Sequence, residues 1–256
     1  MSTTSFDRAA GFYDATRGLP DDVRDALAGS LATELGGRGT CLEIGVGTGR
    51  IALPLHQRGV RLVGADVAPA MLERLVANAG GHLPFPLLLA DATRLPLDDQ
   101  SVGAVLASHV FHLMANWQAA VDEILRVLRM DGALFVDFGG GVPTPWSEPT
   151  EPIMHRLGVN HVRPGTSSAD EMANYLGDNA QARPLPPVVM TSERTLAQDL
   201  DEWERQVHAW TWPYSAEKMR EVSTEVRAWA VSEGWPLDRP ARLQRTIQWW
   251  CFQPRK

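Results

Sequence analysis

The chain has 256 residues, 24 Lys and Arg against 31 Asp and Glu, and a formal net charge of −7, with 44% hydrophobic and 21% charged residues. That composition fits a globular protein with a sizeable core, and its acidic balance argues against a surface built to wrap nucleic acid, which needs clustered Lys and Arg. No apolar run reaches the roughly 20 residues that span a bilayer, residues 1–14 lack the features of a secretory leader, and Cys41 and Cys251 are too few for a disulfide framework or zinc cluster. The expectation is a cytoplasmic protein with no membrane partner.

Val23, Leu27, Leu31 and Leu35 recur at four-residue spacing and predict an amphipathic helix over Asp21–Leu35. Pro20 and the acids Asp21 and Asp22 suit its start. The apolar run 40–44 predicts a first strand, ending in Gly45, Gly47 and Gly49. A helical segment follows over 50–58, with Pro54 expected to kink it or confine its regular part. Residues 61–66 read as a second strand and 69–79 as a helix opened by Pro69. Residues 85–90 predict a third strand; Pro86 cannot donate to a ladder, which places this strand at a sheet edge. A fourth strand is expected over 102–107, then a helix over 117–129 with Val121, Ile124, Leu125 and Leu128 on one face. Asp131 and Gly132 predict a turn into a fifth strand over 133–138. Strands alternating with helices imply a parallel α/β sheet, because parallel neighbours need crossover connections.

Beyond 138 the pattern changes. Residues 139–152 are rich in Gly and Pro and predict a loop. Residues 153–182 are helical in part, broken by the polar stretch 163–168, and 187–193 read as a sixth strand. Helical segments over 196–210 and 215–232 precede a final strand over 243–252. Seven of the nine tryptophans lie after residue 200, which marks a half built differently from the first.

Residues 41–49 carry Glu43 at a strand end, followed by Gly45, Gly47 and Gly49. A glycine-rich turn from strand to helix lets the backbone approach a cofactor closely. The dinucleotide fingerprint G-x-G-x-x-G needs its third glycine at position 50, where Arg50 stands, and this counts against a nicotinamide-dependent oxidoreductase. Asp66 closes the second strand at the distance where an acid accepts both ribose hydroxyls. Asp91 follows the third strand, where a carboxylate can receive an adenine amine. Both stand at strand carboxyl ends, where open α/β sheets bind ligands.

Residues 42–55, 64–72, 90–113 and 123–136 together resemble the class I S-adenosylmethionine-dependent methyltransferases, in the type 11 methyltransferase-domain branch that includes many quinone-biosynthesis and small-molecule enzymes. The resemblance covers residues 40–138. It implies a Rossmann-like seven-stranded, mostly parallel sheet of order 3-2-1-4-5-7-6, with strand 7 antiparallel and a helical cap. It also implies S-adenosylmethionine as cofactor, with Glu43, Gly45, Gly47 and Gly49 towards its methionine part, Asp66 on the ribose, Asp91 and Ala92 on the adenine, and Ser108 near the methionine moiety. Val46, Val67 and Met71 join the implied cofactor-binding set. Residues 12–20 resemble the Tyr-Asp-x-x-Arg stretch that folds over the cofactor in this branch, which makes Tyr13 and Arg17 candidates, Arg17 for the methionine carboxylate. Met130, Asp131 and Gly132 stand where the family usually has Pro-Gly-Gly, in a turn away from the site.

His109 and His112 follow the fourth strand, where this fold faces its acceptor, and either can serve as general base or only shape the pocket. No adjoining acid or cysteine cluster makes them a metal pair. Trp210, Trp212 and Tyr214 stand between two helical segments and are expected to line an apolar acceptor pocket as part of a lid, with a dimer contact as the alternative. The expected organisation is 1–36 as N-terminal helices over the cofactor, 37–140 as its binding core, 141–240 as a helical cap with the sixth strand, and 241–256 as the strand completing the sheet. The expected activity is in-line methyl transfer to a small-molecule acceptor rather than nucleic acid. A non-methylating rearrangement or regulatory role is the alternative.

Overall fold

Strands buried on both faces read as short apolar runs, and the sheet is centred on two of them. The computed structural model describes residues 6–161, 163–177 and 180–254. It divides into two units, the first comprising residues up to 140, 164–188 and from 246 on, the second 141–163 and 189–245. In the first unit, β1 (Cys41–Ile44) and β4 (Val102–Ser108) are buried at every position. β2 (Leu62–Asp66) and β3 (Leu87–Leu89) extend the sheet on one side, β5 (Leu128–Asp137), β9 (Trp249–Pro254) and β6 (Ala180–Pro184) on the other. The order is β3-β2-β1-β4-β5-β9-β6. β9 runs antiparallel to both neighbours, and the ladders from β3 through β5 are parallel. β3 is the edge strand that Pro86 foretells, and the Pro86 carbonyl still accepts from Gly64 N at 2.9 Å.

Helices α1 (Tyr13–Arg17), α2 (Asp21–Leu35), α3 (Ala52–Gln57), α4 (Pro69–Asn78), α5 (Trp117–Val127) and α7 (Ala169–Leu176) belong to this unit. Pro54 does not kink α3: it sits in the first turn, where its missing N–H has no helical partner to lose. The helix expected over 117–129 stops at Val127, because Leu128 already pairs with Val102 in β5. Asp131 and Gly132 lie inside β5, where the ladder jumps from Val102 opposite Leu128 to Ala104 opposite Ala133; the expected turn is a bulge-like excursion.

The sixth strand of the sheet is β6, not residues 187–193. Those residues form β7 (Val188–Arg194), which pairs only with β8 (Ala241–Ile247) in a two-stranded sheet. The single strand expected over 243–252 is two strands, β8 and β9, parted at Gln248, whose amide donates to the carbonyls of Leu185 and Trp249 at 2.7 and 2.8 Å. The loop expected over 139–152 gives way at residue 147 to α6 (Ser147–Arg156). Pro149 falls in its first turn and Pro152 lies inside it.

The second unit packs α6, α8 (Leu196–Glu204) and α9 (Ala216–Ser232) around Trp146, Trp203, Met219 and Val222. A capping box at Thr195 and Gln198 starts α8. The helix ends well before residue 210, and Gln206 just beyond it adopts a left-handed φ of 52°. Beside this core lies an ionic network. Arg194 bonds to both Asp199 and Glu202, Glu202 also takes His208 Nε2 at 2.9 Å, and Asp199 accepts Trp146 Nε1 at 2.7 Å.

Candidate active site

After β1 the chain turns through Gly45, Gly47 and Gly49 at φ of 59°, 53° and 85°, a region that strains any side chain. The three serve different ends. A Cβ on Gly45 would stand 2.4 Å from Val110 Cγ2, and one on Gly49 2.7 Å from Leu53 Cγ, so both permit close packing. A Cβ on Gly47 would meet nothing nearer than the Gly45 carbonyl at 3.9 Å. Gly47 therefore presents bare backbone to a cleft.

Asp66 at the end of β2 is fixed by both carboxylate oxygens: Gly47 N donates to Oδ2 and Ala68 N to Oδ1, each at 2.9 Å. Burial pushes its carboxyl above the ordinary range, against the pull of these N–H groups. Around the cleft stand Gly45, Gly47, Asp66, Val67, Met71 and Ala92, joined by Tyr13, Ser108 and His109. The open space over Gly47, beside an oriented carboxylate and an apolar wall, fits a nucleoside cofactor.

Other residues singled out from the sequence do not line this cleft. Val46 is buried and donates its N–H to Ala65 O at 3.0 Å. Asp91 Oδ1 accepts both Thr93 N and Thr93 Oγ1 at 2.9 Å, which orders the turn that presents Ala92. Arg17 ends α1. His112 lies in a 3₁₀ turn, Phe111–Leu113, with its ring 6.5 Å from that of His109. Glu43 is fully buried with Oε2 lacking a hydrogen-bond partner. Burial raises its carboxyl to about 8, the Arg50 charge opposing and the Asp66 charge adding, so Glu43 is largely protonated at neutral pH.

Three positions that shape the site escaped the sequence reading. Asp137 ends β5 as Asp66 ends β2, and that shared position was the available signal. Its Oδ2 lies 3.0 Å from His109 Nε2, its Oδ1 accepts Gly139 N at 2.9 Å, and its carbonyl accepts His109 N at 2.8 Å. Burial raises the Asp137 carboxyl, but bonding to His109, the Gly139 N–H and the Arg50 charge together hold it below the usual range. His109, at a left-handed φ of 55°, is thus gripped by both the backbone and side chain of residue 137. This geometry assigns the proton of the neutral ring to Nε2 and its lone pair to Nδ1. Arg50 Nη2 donates to Ser108 Oγ at 3.0 Å, which ties the end of β4 to the glycine turn. Asp14 is the third; its carboxylate joins α1 to Thr48 and to α4.

Trp210, Trp212 and Tyr214 belong to the second unit. Trp210 stacks on His161 with ring centroids 3.9 Å apart, Trp212 Nε1 donates to Gln206 O at 2.8 Å, and the Tyr214 hydroxyl bonds both Asn160 N and Asn160 O. Among the described residues there is no cluster of His, Cys, Asp or Glu that could hold a metal ion, and no helix long and apolar enough to cross a membrane.

Strand order, glycine turn and acids at strand ends define a Rossmann-like fold of the methyltransferase kind. Comparison with known proteins agrees. Residues 42–136 match the methyltransferase domain family. The chain is 31% identical over 196 residues to a malonyl-[acyl-carrier protein] O-methyltransferase of Serratia marcescens, covering 75% of each chain. It is 30% identical over 191 residues to a demethylmenaquinone methyltransferase of Clavibacter sepedonicus, covering 70% of this chain and 74% of that one. Among solved structures, the YcgJ protein of Bacillus subtilis shares the fold, with a TM-score of 0.59 at 17% identity over 90% of this chain and 99% of that one. The chain belongs to the class I S-adenosylmethionine-dependent methyltransferases, in the small-molecule branch.

Proposed function

We propose that the enzyme methylates a hydroxyl of a small apolar or aromatic acceptor, with His109, oriented by Asp137, taking the acceptor proton. The observation that carries this reading is the 3.0 Å pairing of His109 Nε2 with Asp137 on the wall of the cleft that also holds Gly47 and Asp66. The bound cofactor supplies a methyl group on cationic sulfur, already activated for displacement. The chain's own work is therefore to position, to exclude water, and to accept a proton. Asp66 takes the ribose hydroxyls, Asp91 and Ala92 flank the adenine, Arg17 pairs with the methionine carboxylate, and Glu43 and Ser108 stand towards the methionine part. His112 supports the His109 side of the pocket. The relatives' printed names, both O- or quinone-directed methyltransferases, favour transfer over a non-methylating role. The acidic chain suits a cytoplasmic enzyme that does not bind nucleic acid, and sedimentation reads directly whether it forms a homodimer.

The test is S-adenosylhomocysteine release with a panel of phenolic acceptors, alongside calorimetry. Asp66→Ala should weaken S-adenosylhomocysteine binding by about 1–3 kcal/mol. His109→Asn, which tolerates the left-handed backbone, should bind normally and lose roughly 10²–10⁴ in turnover, together with the acidic limb of the pH profile. Full turnover in His109→Asn would remove the base from the mechanism.

A further inference from the structure

Residues 6–17 form a strap, and both of its acids hold α4. Asp7 Oδ1 accepts Ala70 N at 3.0 Å. Asp14 Oδ2 accepts Arg74 Nε at 2.9 Å and Asn78 Nδ2 at 3.0 Å. Asp7 thus caps the N-terminus of the helix through a backbone N–H, while Arg74 and Asn78, spaced by four, meet Asp14 on one face. The other oxygen of Asp14 accepts Thr48 Oγ1 at 2.5 Å, within the glycine turn itself. Asn78 Nδ2 closes the ring by donating also to Thr48 O at 3.1 Å. Between the two acids the strap carries Tyr13, and just ahead of the first it carries Phe6. Their rings meet edge to face with centroids 6.2 Å apart, and both border the cleft.

We propose that Asp14 is a positioning residue that pins the strap to the glycine turn through Thr48, and thereby sets how long the cofactor stays bound. The inference rests on the cleft being the cofactor site. A carboxylate that receives a hydroxyl, a guanidinium and an amide uses charge-assisted bonds, the stronger kind. These donors hold Asp14 below the ordinary carboxylate range although burial raises it. The pin stays ionised across the working pH range. Because Thr48 lies between Gly47 and Gly49, the strap and the bare-backbone turn are held by the same bond. Release of the ligand past Phe6 and Tyr13 then requires that bond to break.

The experiment measures S-adenosylhomocysteine dissociation by stopped flow, and hydrogen exchange over residues 6–17, in wild type, Asp14→Asn, Thr48→Val and the double variant. Losing the charge-assisted Thr48 bond predicts release about tenfold faster in Thr48→Val and at least as fast in Asp14→Asn, which also weakens the Arg74 and Asn78 bonds. The double variant should be little faster than Asp14→Asn alone, because the Thr48 bond is common to both. Exchange over 6–17 should rise while that of β1 and β4 stays the same. Should Asp14→Asn fail to fold, Arg74→Gln, on a half-exposed side chain, loosens the same carboxylate and should speed release in the same direction. Normal binding with unchanged release rates overturns the pin alone, as does faster release without added exchange over 6–17. Absence of binding in the wild type overturns the cofactor reading and the pin with it.

Discussion

In the sheet unit the acids Asp66 and Asp137 end strands β2 and β5, and backbone N–H groups orient both of them. In the second unit Arg194, Asp199, Glu202, His208 and the Trp146 indole satisfy one another within the unit. The first arrangement leaves oriented lone pairs at the end of a sheet. The second uses its polar groups to fix its own packing. Two polar clusters of similar chemistry thus face a cleft in one case and close on themselves in the other, and what separates them is whether the remaining valences meet protein or cleft.

Glycine substitutions give the largest contrast. A Cβ on Gly103 in β4 would stand 1.6 Å from the Arg38 carbonyl, so Gly103→Ala should cost more than about 4 kcal/mol and leave no cooperative transition in calorimetry. Gly47→Val strains a left-handed backbone at φ 53° but fills open space instead of striking a carbonyl. It should stay folded by circular dichroism yet lose S-adenosylhomocysteine binding. A folded Gly47→Val that binds normally would erase the distinction between a scaffold glycine and a ligand glycine.

Breaking the network of the second unit comes next. Asp199→Asn removes one of the two carboxylate partners of Arg194 and weakens the Trp146 contact, and should destabilise the unit by roughly 2–3 kcal/mol, visible as an earlier tryptophan-fluorescence transition. An unchanged transition would mean that the network is ornament on an apolar core.

The smallest effect concerns Glu43. Its folded pKa is raised to about 8 from an ordinary 4.5, so the native state keeps a proton that the unfolded chain releases. Its contribution to stability therefore declines as pH rises from about 4.5 to about 8. Glu43→Gln should flatten that decline and gain roughly 1–2 kcal/mol near pH 8, measured by denaturant titration at several pH values. A variant that keeps the slope would place its source elsewhere in the sheet unit.

Legibility follows the same division. The central strands announce themselves because burial on both faces demands apolar runs, and Pro86 and Pro69 mark an edge and a helix start by what proline cannot do. Asp66 was readable because it ends such a run. β6 was not: its sequence, Ala-Gln-Ala-Arg-Pro, is that of a half-exposed edge strand, and the more apolar Val188, Val189 and Met190 nearby drew the assignment to β7. Gln248 divides β8 from β9 through side-chain bonds that no periodicity reveals. Asp14 and Arg50 matter through partners far away in sequence, Thr48 and Ser108, which one chain read alone does not pair.

The position of β9 has a consequence for how the molecule is made. β9 inserts between β5 and β6, so β5 reaches its full set of neighbours only after about a hundred further residues have been synthesised. During translation the edge formed by Leu134, Phe135 and Val136 leaves the ribosome unpaired, and these are among the most apolar segments of the chain. The nascent protein must carry this open edge while the whole second unit is being made. Its yield in a cell should therefore depend on chaperone capacity more than the stability of the finished sheet would suggest.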